Sequence, residues 1–425
     1  MTSVRLQPAS VRGRVRAPPS KSYTHRFLLA AHLGGRTSRV RRPLLSDDTL
    51  CTARALRGLG SMVDIGPEVW TVSPPTSHRG GRRRTIDCGE SGTTLRLLTA
   101  AAALQPSTYR FVGSGRLPYR PMAPLLGALQ TLGATIRPHE GSAVLPLEVR
   151  GPIHGGTVRL PVDESSQFTS ALLFALPRVR PDSSLRTVGA PVSEPYVRAS
   201  LAVLRRHGVR ISSTRGGYRI PGGQRFGGAA FSVPGDASSA AYLWAAAAVA
   251  GGTVTVDGVP SDWPQADLAV LGLLRRFGAR VVRRGSSVTV RAEERCPFRV
   301  NLTPSPDLYP LAGVLAAVAP GRSELLGAAH VAAKESDRKA ETARLVRAIG
   351  ARVHSRKDRL TVEGTSSPRS LQLDGLRDHR LVMSAAVGAL AAPSPSRVSD
   401  ASAVAKSFPG FFGALESLGV EVTAT

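Results

Sequence analysis

The sequence predicts an α/β (α+β) protein made of six copies of one βαβαββ unit, gathered three by three into two globular domains. Three observations carry this: a length of 425 residues, an apolar helix ending in Gly that recurs six times, and a polar residue opening a small-apolar helix at the same period. At roughly 150 residues per domain, the length accommodates two or three compact bodies. With 42% hydrophobic and 20% charged residues, the composition is that of a globular protein.

The first marker reads ARALRGLGSMV, GALQTLGATI, AVLRRHGVRI, LLRRFGARV, LVRAIGARV and ALESLGVEV. Its glycines, Gly60, Gly133, Gly208, Gly278, Gly350 and Gly419, are 73, 75, 70, 72 and 69 residues apart. Each is placed to end a helix in the left-handed conformation that Gly accepts most readily. The second marker opens at Ser20, Ser91, Ser165, Asp236, Asp307 and Asp378, in steps of 71, 74, 71, 71 and 71. Ser and Asp cap helix N-termini, and the small apolar runs that follow read as buried helices. From Thr157 to about Gly227 the pattern is strand, small-residue helix, strand, Gly/Pro loop, amphipathic helix and hairpin, which defines the unit. Repeats this large cluster into globules rather than a thin solenoid.

The 56 Lys and Arg exceed the 30 Asp and Glu to leave a formal charge of +26. That excludes an acidic, halophile-type surface and favours anionic partners. Only Lys21, Lys334, Lys339, Lys357 and Lys406 are lysines. Cys51, Cys88 and Cys296 lie far apart with no CxxC pair, so neither a disulfide framework nor a zinc site is expected, and the reading is a soluble protein of a reducing cytoplasm. The first twenty residues lack the apolar core of a secretory signal, and the run around Ala240 to Ala250 is too short to span a bilayer.

A helix N-terminus offers free N–H groups and about half a positive charge, so several polar helix starts aimed at one place form an anion site. PPSKSYTHR places Lys21, Ser22 and Arg26 at such a start, where the dipole disfavours cations unless a bound anion offsets the cost. In DCGESGTTLR, Gly89 and Gly92 let backbone amides approach a ligand, and GSGRLPYRPM brings Arg116 and Arg120. Ser165, Ser166, Gln167 and Ser193 are neutral donors suited to phosphate oxygens. Asp307 and the KESDR run, Lys334 to Arg338, join carboxylates to a lysine that can divide proton donation and removal. Arg380 and Lys406 add two more cations.

Together these motifs resemble the 5-enolpyruvylshikimate-3-phosphate (EPSP) synthase family, from PSKS near the start to KSFP near the end. The resemblance implies two globules of three βαβαββ units, inside-out and barrel-like, with the active site in the interdomain cleft and closure around the substrates. It places an inserted domain at residues 20–231 and a discontinuous one at 1–19 plus 232–425. It implies transfer of the enolpyruvyl group of phosphoenolpyruvate to the 5-hydroxyl of 3-phosphoshikimate, with no metal or organic cofactor, no obligate nucleic acid, no membrane, and a monomer. Lys21, Ser22 and Arg26 then meet the shikimate side with Ser165, Ser166, Gln167, Ser193, Tyr196, Asp307 and Lys334. Lys21, Gly92, Arg120, Gln167, Arg338, Arg380 and Lys406 meet phosphoenolpyruvate. Lys21, Asp307 and Glu335 are the candidates for proton transfer. Three positions depart from the family's pattern: Glu90 stands where Asn is usual, Ala332 where Arg is common, and His330 where Asn is frequent.

Two other readings compete. A sister transferase acting on UDP-N-acetylglucosamine carries a Cys in the loop corresponding to Gly113 to Pro121, and none is present here. RNA binding is raised by Arg79 with Arg82 to Arg84 and by Arg39, Arg41 and Arg42, yet no aromatic-rich RNA motif accompanies them.

Overall fold

A computed structural model describes residues 3–75, 83–139, 141, 143–228, 230–327 and 329–425. They form six four-stranded sheets of one topology. In the third, Thr157–Pro161 runs parallel to Ser183–Val188, which pairs antiparallel with Gly217–Ile220, and that strand pairs antiparallel with Ser212–Thr214. The buried helix Ser166–Ala175 makes the parallel crossover, as a parallel pair requires, and the amphipathic helix Glu194–Arg206 leads into the hairpin. None of the six sheets closes on itself among the described residues, so the barrel-like expectation holds only in having helices inside and sheets outside.

Three sheets are completed from far along the chain, the fourth by Arg12–Arg16, which runs parallel to Thr253–Asp257. The first borrows its outer strand from Ala230–Ser232, parallel to Ser38–Arg41, and the sixth takes Ser3–Leu6 between Ser396–Ser399 and Val422–Ala424. The repeat is thus permuted, since the chain opens on the last-joined strand of its sixth unit. The chain divides into two compact units, Met1–Ser20 with Pro234–Thr425, and Lys21–Val233.

The small-residue helices are the cores. Ala237–Ala250, Tyr309–Ala317 and His379–Ala389 are buried almost all round in one unit, as are Gly92–Ala102 and Ser166–Ala175 in the other. Such helices have no solvent face to make polar, which explains their Ala-rich, non-amphipathic sequences. Trp244, wholly buried, satisfies its indole N–H on the Val288 carbonyl at 3.1 Å. The six marker glycines all have left-handed backbone, with φ of 101°, 101°, 76°, 101°, 102° and 94°. Ser91, Ser165, Asp236 and Asp378 cap their helices by accepting from Thr94, Gln167, Ser239 and Arg380 amides. No helix among the described residues is long and apolar enough to cross a membrane.

Leu6 is fully buried in the borrowed central strand. Leu6→Ala should lower unfolding free energy by about 2–5 kcal/mol, the usual range for an underpacked core site. Urea denaturation checks this, and an unchanged midpoint would show that the strand is dispensable.

Candidate active site

In the Lys21–Val233 unit, four helix starts gather cations and hydroxyls. Lys21 opens Lys21–His32, and its Nζ donates to Asp48 Oδ2 at 2.9 Å. One turn on, Arg26 is 3% exposed, with Nε donating to Ser200 Oγ at 2.8 Å, Nη1 to the Ser22 carbonyl at 2.9 Å and Nη2 to the Tyr196 carbonyl at 3.1 Å. All three acceptors are neutral. Burial therefore draws the Arg26 pKa down to about 10, and the group still carries its charge at neutral pH without a carboxylate beside it.

Gly92 opens the next buried helix directly under Arg120. A Cβ at position 92 would lie 2.6 Å from Arg120 Nη1, so only Gly lets that guanidinium rest there. Gln167 is held from both ends: its Oε1 accepts from Arg96 Nη1 at 2.7 Å, and its Nε2 donates to Thr93 at 3.0 Å. Arg96 also donates to the Pro121 carbonyl at 2.9 Å and lies over the Phe168 ring at 5.2 Å. Ser165 and Ser166 begin Ser166–Ala175. Ser193 precedes Glu194–Arg206 with φ 55°, a strained conformation for a residue with a side chain. Burial pulls His25 down to about 3, so it is neutral; its Nδ1 lies 2.7 Å from Thr52 Oγ1. Glu90 is exposed, and its carboxylate folds over Gly115.

The other unit holds a buried ion cluster centred on Arg338, which is 1% exposed. Its Nε donates to Asp378 Oδ2 at 2.9 Å, its Nη1 to Asp307 Oδ1 at 2.7 Å and its Nη2 to Glu335 Oε2 at 2.8 Å. Asp307 Oδ2 accepts from Arg380 at 3.1 Å, and Lys334 Nζ stands 3.9 Å from Asp307 Oδ1. Burial alone would raise the Asp307 pKa, but Arg380, Arg338 and Lys334 outweigh it and hold the carboxyl well below the usual range. Burial likewise opposes the charge on Arg338, and its three acids reverse that. Asp378, wholly buried, also caps His379–Ala389 and accepts from Ser336 at 3.0 Å. Asp267, 1% exposed, accepts from Ser238 and is pushed up to about 6 by burial and then by Asp307. His330 is lowered to about 4 by burial and by Lys334. Lys406 ends the short helix Ala401–Lys406.

Two clusters thus account for the residues singled out in the sequence. Lys21, Ser22, Arg26, Gly92, Arg120, Ser165, Ser166, Gln167, Ser193 and Tyr196 belong to one unit; Asp307, Lys334, Glu335, Arg338, Arg380 and Lys406 belong to the other. Asp307 departs from its marker role. It lies within the turn Pro306–Leu308 ahead of Tyr309–Ala317, and its side chain bonds Arg338 and Arg380 rather than the helix end. KESDR lies mostly ahead of a helix, with Asp337 as cap and Arg338 as its first residue. Sequence reasoning missed Asp48, Arg96 and Asp267. A cation inside the apolar run GTTLRLLTAAA was the signal for Arg96.

The EPSP synthase (3-phosphoshikimate 1-carboxyvinyltransferase) family matches residues 6–415 of the chain. A 3-phosphoshikimate 1-carboxyvinyltransferase of Halobacterium salinarum is 43% identical, covering 98% of each chain. One of Methanocorpusculum labreanum is 39% identical, covering 97% of this chain and 98% of its own. An EPSP synthase structure from Acinetobacter baumannii aligns over the whole of both chains with a TM-score of 0.82 at 23% identity. The enolpyruvyl transferase NikO from Streptomyces tendae aligns over 100% of this chain and 99% of its own, with a TM-score of 0.79 at 18% identity. At those identities the two structures show a shared fold.

Gly92→Ala should displace the Arg120 guanidinium and weaken binding of inorganic phosphate by roughly tenfold, about 1.4 kcal/mol. Calorimetric titration reads this, and equal affinity would mean that Arg120 tolerates the methyl group. Asp267 predicts a pH effect. Its folded pKa of about 6 lies above the unfolded value, so its ionisation costs nothing below about pH 4, costs progressively more up to pH 6, and is constant beyond. Asp267→Asn should therefore stabilise the protein at pH 7, by at most about 3 kcal/mol, and leave it unchanged at pH 4. Urea unfolding at the two pH values decides; a destabilised variant at pH 7 would contradict the assignment.

Proposed function

The chain belongs to the EPSP synthase family, and from that premise we propose that its two clusters act on one pair of anionic substrates. The protein transfers the enolpyruvyl group of phosphoenolpyruvate to the 5-hydroxyl of 3-phosphoshikimate and releases phosphate. The observation that best supports the division of labour is a charge contrast. Arg26 and Arg96 of one unit bond neutral acceptors, whereas Arg338 in the other is surrounded by three carboxylates.

In this reading, Ser22 and Arg26 hold the shikimate carboxylate, Ser165, Ser166 and Ser193 take its phosphate, and Tyr196 lines that pocket. Arg26 is already oriented by three hydrogen bonds, so little side-chain freedom is lost on binding. Lys21, Gly92, Arg120, Gln167, Arg338, Arg380 and Lys406 receive phosphoenolpyruvate, with paired cations supplying charge-assisted bonds to carboxylate and phosphate. Asp307 and Lys334 face the ring hydroxyls.

The addition step joins the 5-oxygen to C2 of phosphoenolpyruvate while C3 gains a proton and becomes methyl, giving a tetrahedral, phosphate-bearing intermediate. Elimination removes a proton from C3, breaks the C2–O bond to phosphate and restores the double bond. Asp307, kept ionised by its cations, is the base for the 5-hydroxyl. Glu335 and Lys21 act at the methylene carbon, donating and then accepting a proton. The reading carries with it a monomer that needs no cofactor and works in the cytoplasm.

Mixing the protein with both substrates should release phosphate and form the enol ether. Lys21→Met should abolish release with far-ultraviolet circular dichroism unchanged, and Asp307→Asn should cost on the order of 10²–10⁴ in kcat. Full activity in either variant would overturn the role given to that residue. Turnover of UDP-N-acetylglucosamine instead of 3-phosphoshikimate would overturn the acceptor.

A further inference from the structure

A formal charge of +26 is far more than two small acids require, and six of the arginines line one sheet face. The fourth sheet has the strand order Arg280–Arg284, Ser287–Arg291, Thr253–Asp257, Arg12–Arg16. Val254, Val256, Val288 and Val290 are buried beneath it. Strand alternation then sends the intervening residues outward. Pairing aligns them in three rows: Arg12, Thr253, Arg291, Arg280; Arg14, Thr255, Thr289, Val282; and Arg16, Asp257, Ser287, Arg284.

Asp257 is the sole carboxylate in these rows, and Arg14 and Ser287 already bond it. Arg12, Arg16, Arg280, Arg284 and Arg291 are exposed; Arg16 faces Asp257 and acts on its carboxylate, and the other four have no side-chain partner among the described residues. Arg291 directly faces Arg280, a like-charge pair that weakens a sheet. The fifth sheet, by contrast, brings three of its arginines, Arg299, Arg322 and Arg359, to one acid, Glu324.

We propose that this face binds duplex nucleic acid through its two phosphate backbones, without reading bases. Alternate residues on a strand are about 6.7 Å apart, which suits one arginine per successive phosphate. The two edge strands are three spacings apart, about 14 Å, close to the width of a major groove, about 12 Å. The arginine rows therefore meet both backbones while the central Ser and Thr hydroxyls face the groove. The rows contain no aromatic residue, which disfavours single strands, since these bind largely by stacking. Arg79 and Arg82, the basic cluster noted in the sequence, lie outside the described residues, and no residue of the proposed catalytic machinery belongs to this face.

Fluorescence anisotropy with a 24-base-pair duplex of arbitrary sequence tests the proposal. Five phosphate contacts predict that affinity falls roughly 500-fold between 50 and 200 mM salt. Replacing Arg12, Arg16, Arg280, Arg284 and Arg291 with Ser should weaken duplex binding at least 100-fold, while phosphate release from the two substrates continues at the original rate. The matched control, Ser at Arg39, Arg41, Arg137, Arg159 and Arg186, removes the same charge elsewhere and should stay within about threefold. Replacing the same five residues with Lys should retain most of the affinity, which keeps the test decisive if the Ser variant unfolds. Equal loss in the face variant and the control, failure of the native protein to retain the duplex, or tighter binding of single strands or polyphosphate of equal charge would each overturn it.

Discussion

Burying a guanidinium to 1% exposure costs solvation that must be offset, and for Arg338 three acids supply the offset. Each carboxylate is in turn fixed by that requirement. Asp378 is tied to a helix cap and to Ser336, Asp307 to Arg380, and Glu335 to its own turn. Removing any one acid would leave a buried charge short of a partner, a change that costs several kcal/mol in other buried pairs. The cluster is therefore rigid for electrostatic reasons, and Asp307 is held ionised for the same reasons.

The other unit solves the same burial problem differently. Arg26 and Arg96 are buried too, but hydroxyl, amide and carbonyl oxygens receive them. Neutral acceptors satisfy hydrogen bonds without cancelling charge, so Arg26 keeps its positive charge uncompensated by an acid, while Lys21 at its helix start is paired with Asp48. In the proposed reading, one repeated fold supplies an anion receptor in one copy set and an ionised Asp307 in the other. The difference lies in a few side chains: Asp307 forgoes capping, where Ser91 and Ser165 keep it.

Much of the unit was legible because its signals are local. A Gly after a helix and a Ser or Asp before one depend on backbone geometry within a turn, so Gly60 through Gly419 and four of the caps appear where the pattern put them. Strand exchange was not legible. Ser3–Leu6 pairs with residues some four hundred positions away, and nothing in SVRL distinguishes a borrowed central strand from an edge. The depth of KESDR was also hidden, since a charged run normally lies in solvent and only tertiary packing buries Arg338. Asp48, Arg96 and Asp267 position other groups, and such roles appear only once distances exist.

The central claim is that surrounding cations hold Asp307 ionised as a base. Carbon-13 NMR of protein labelled at aspartate side-chain carboxyls, with Asp307→Asn to assign the resonance, measures this directly. The Asp307 signal should stay that of a carboxylate through the interval in which ordinary aspartates titrate, near 3.9, and should shift upward when Arg338 is replaced by Met. A midpoint at or above the ordinary value in the native protein would contradict the account.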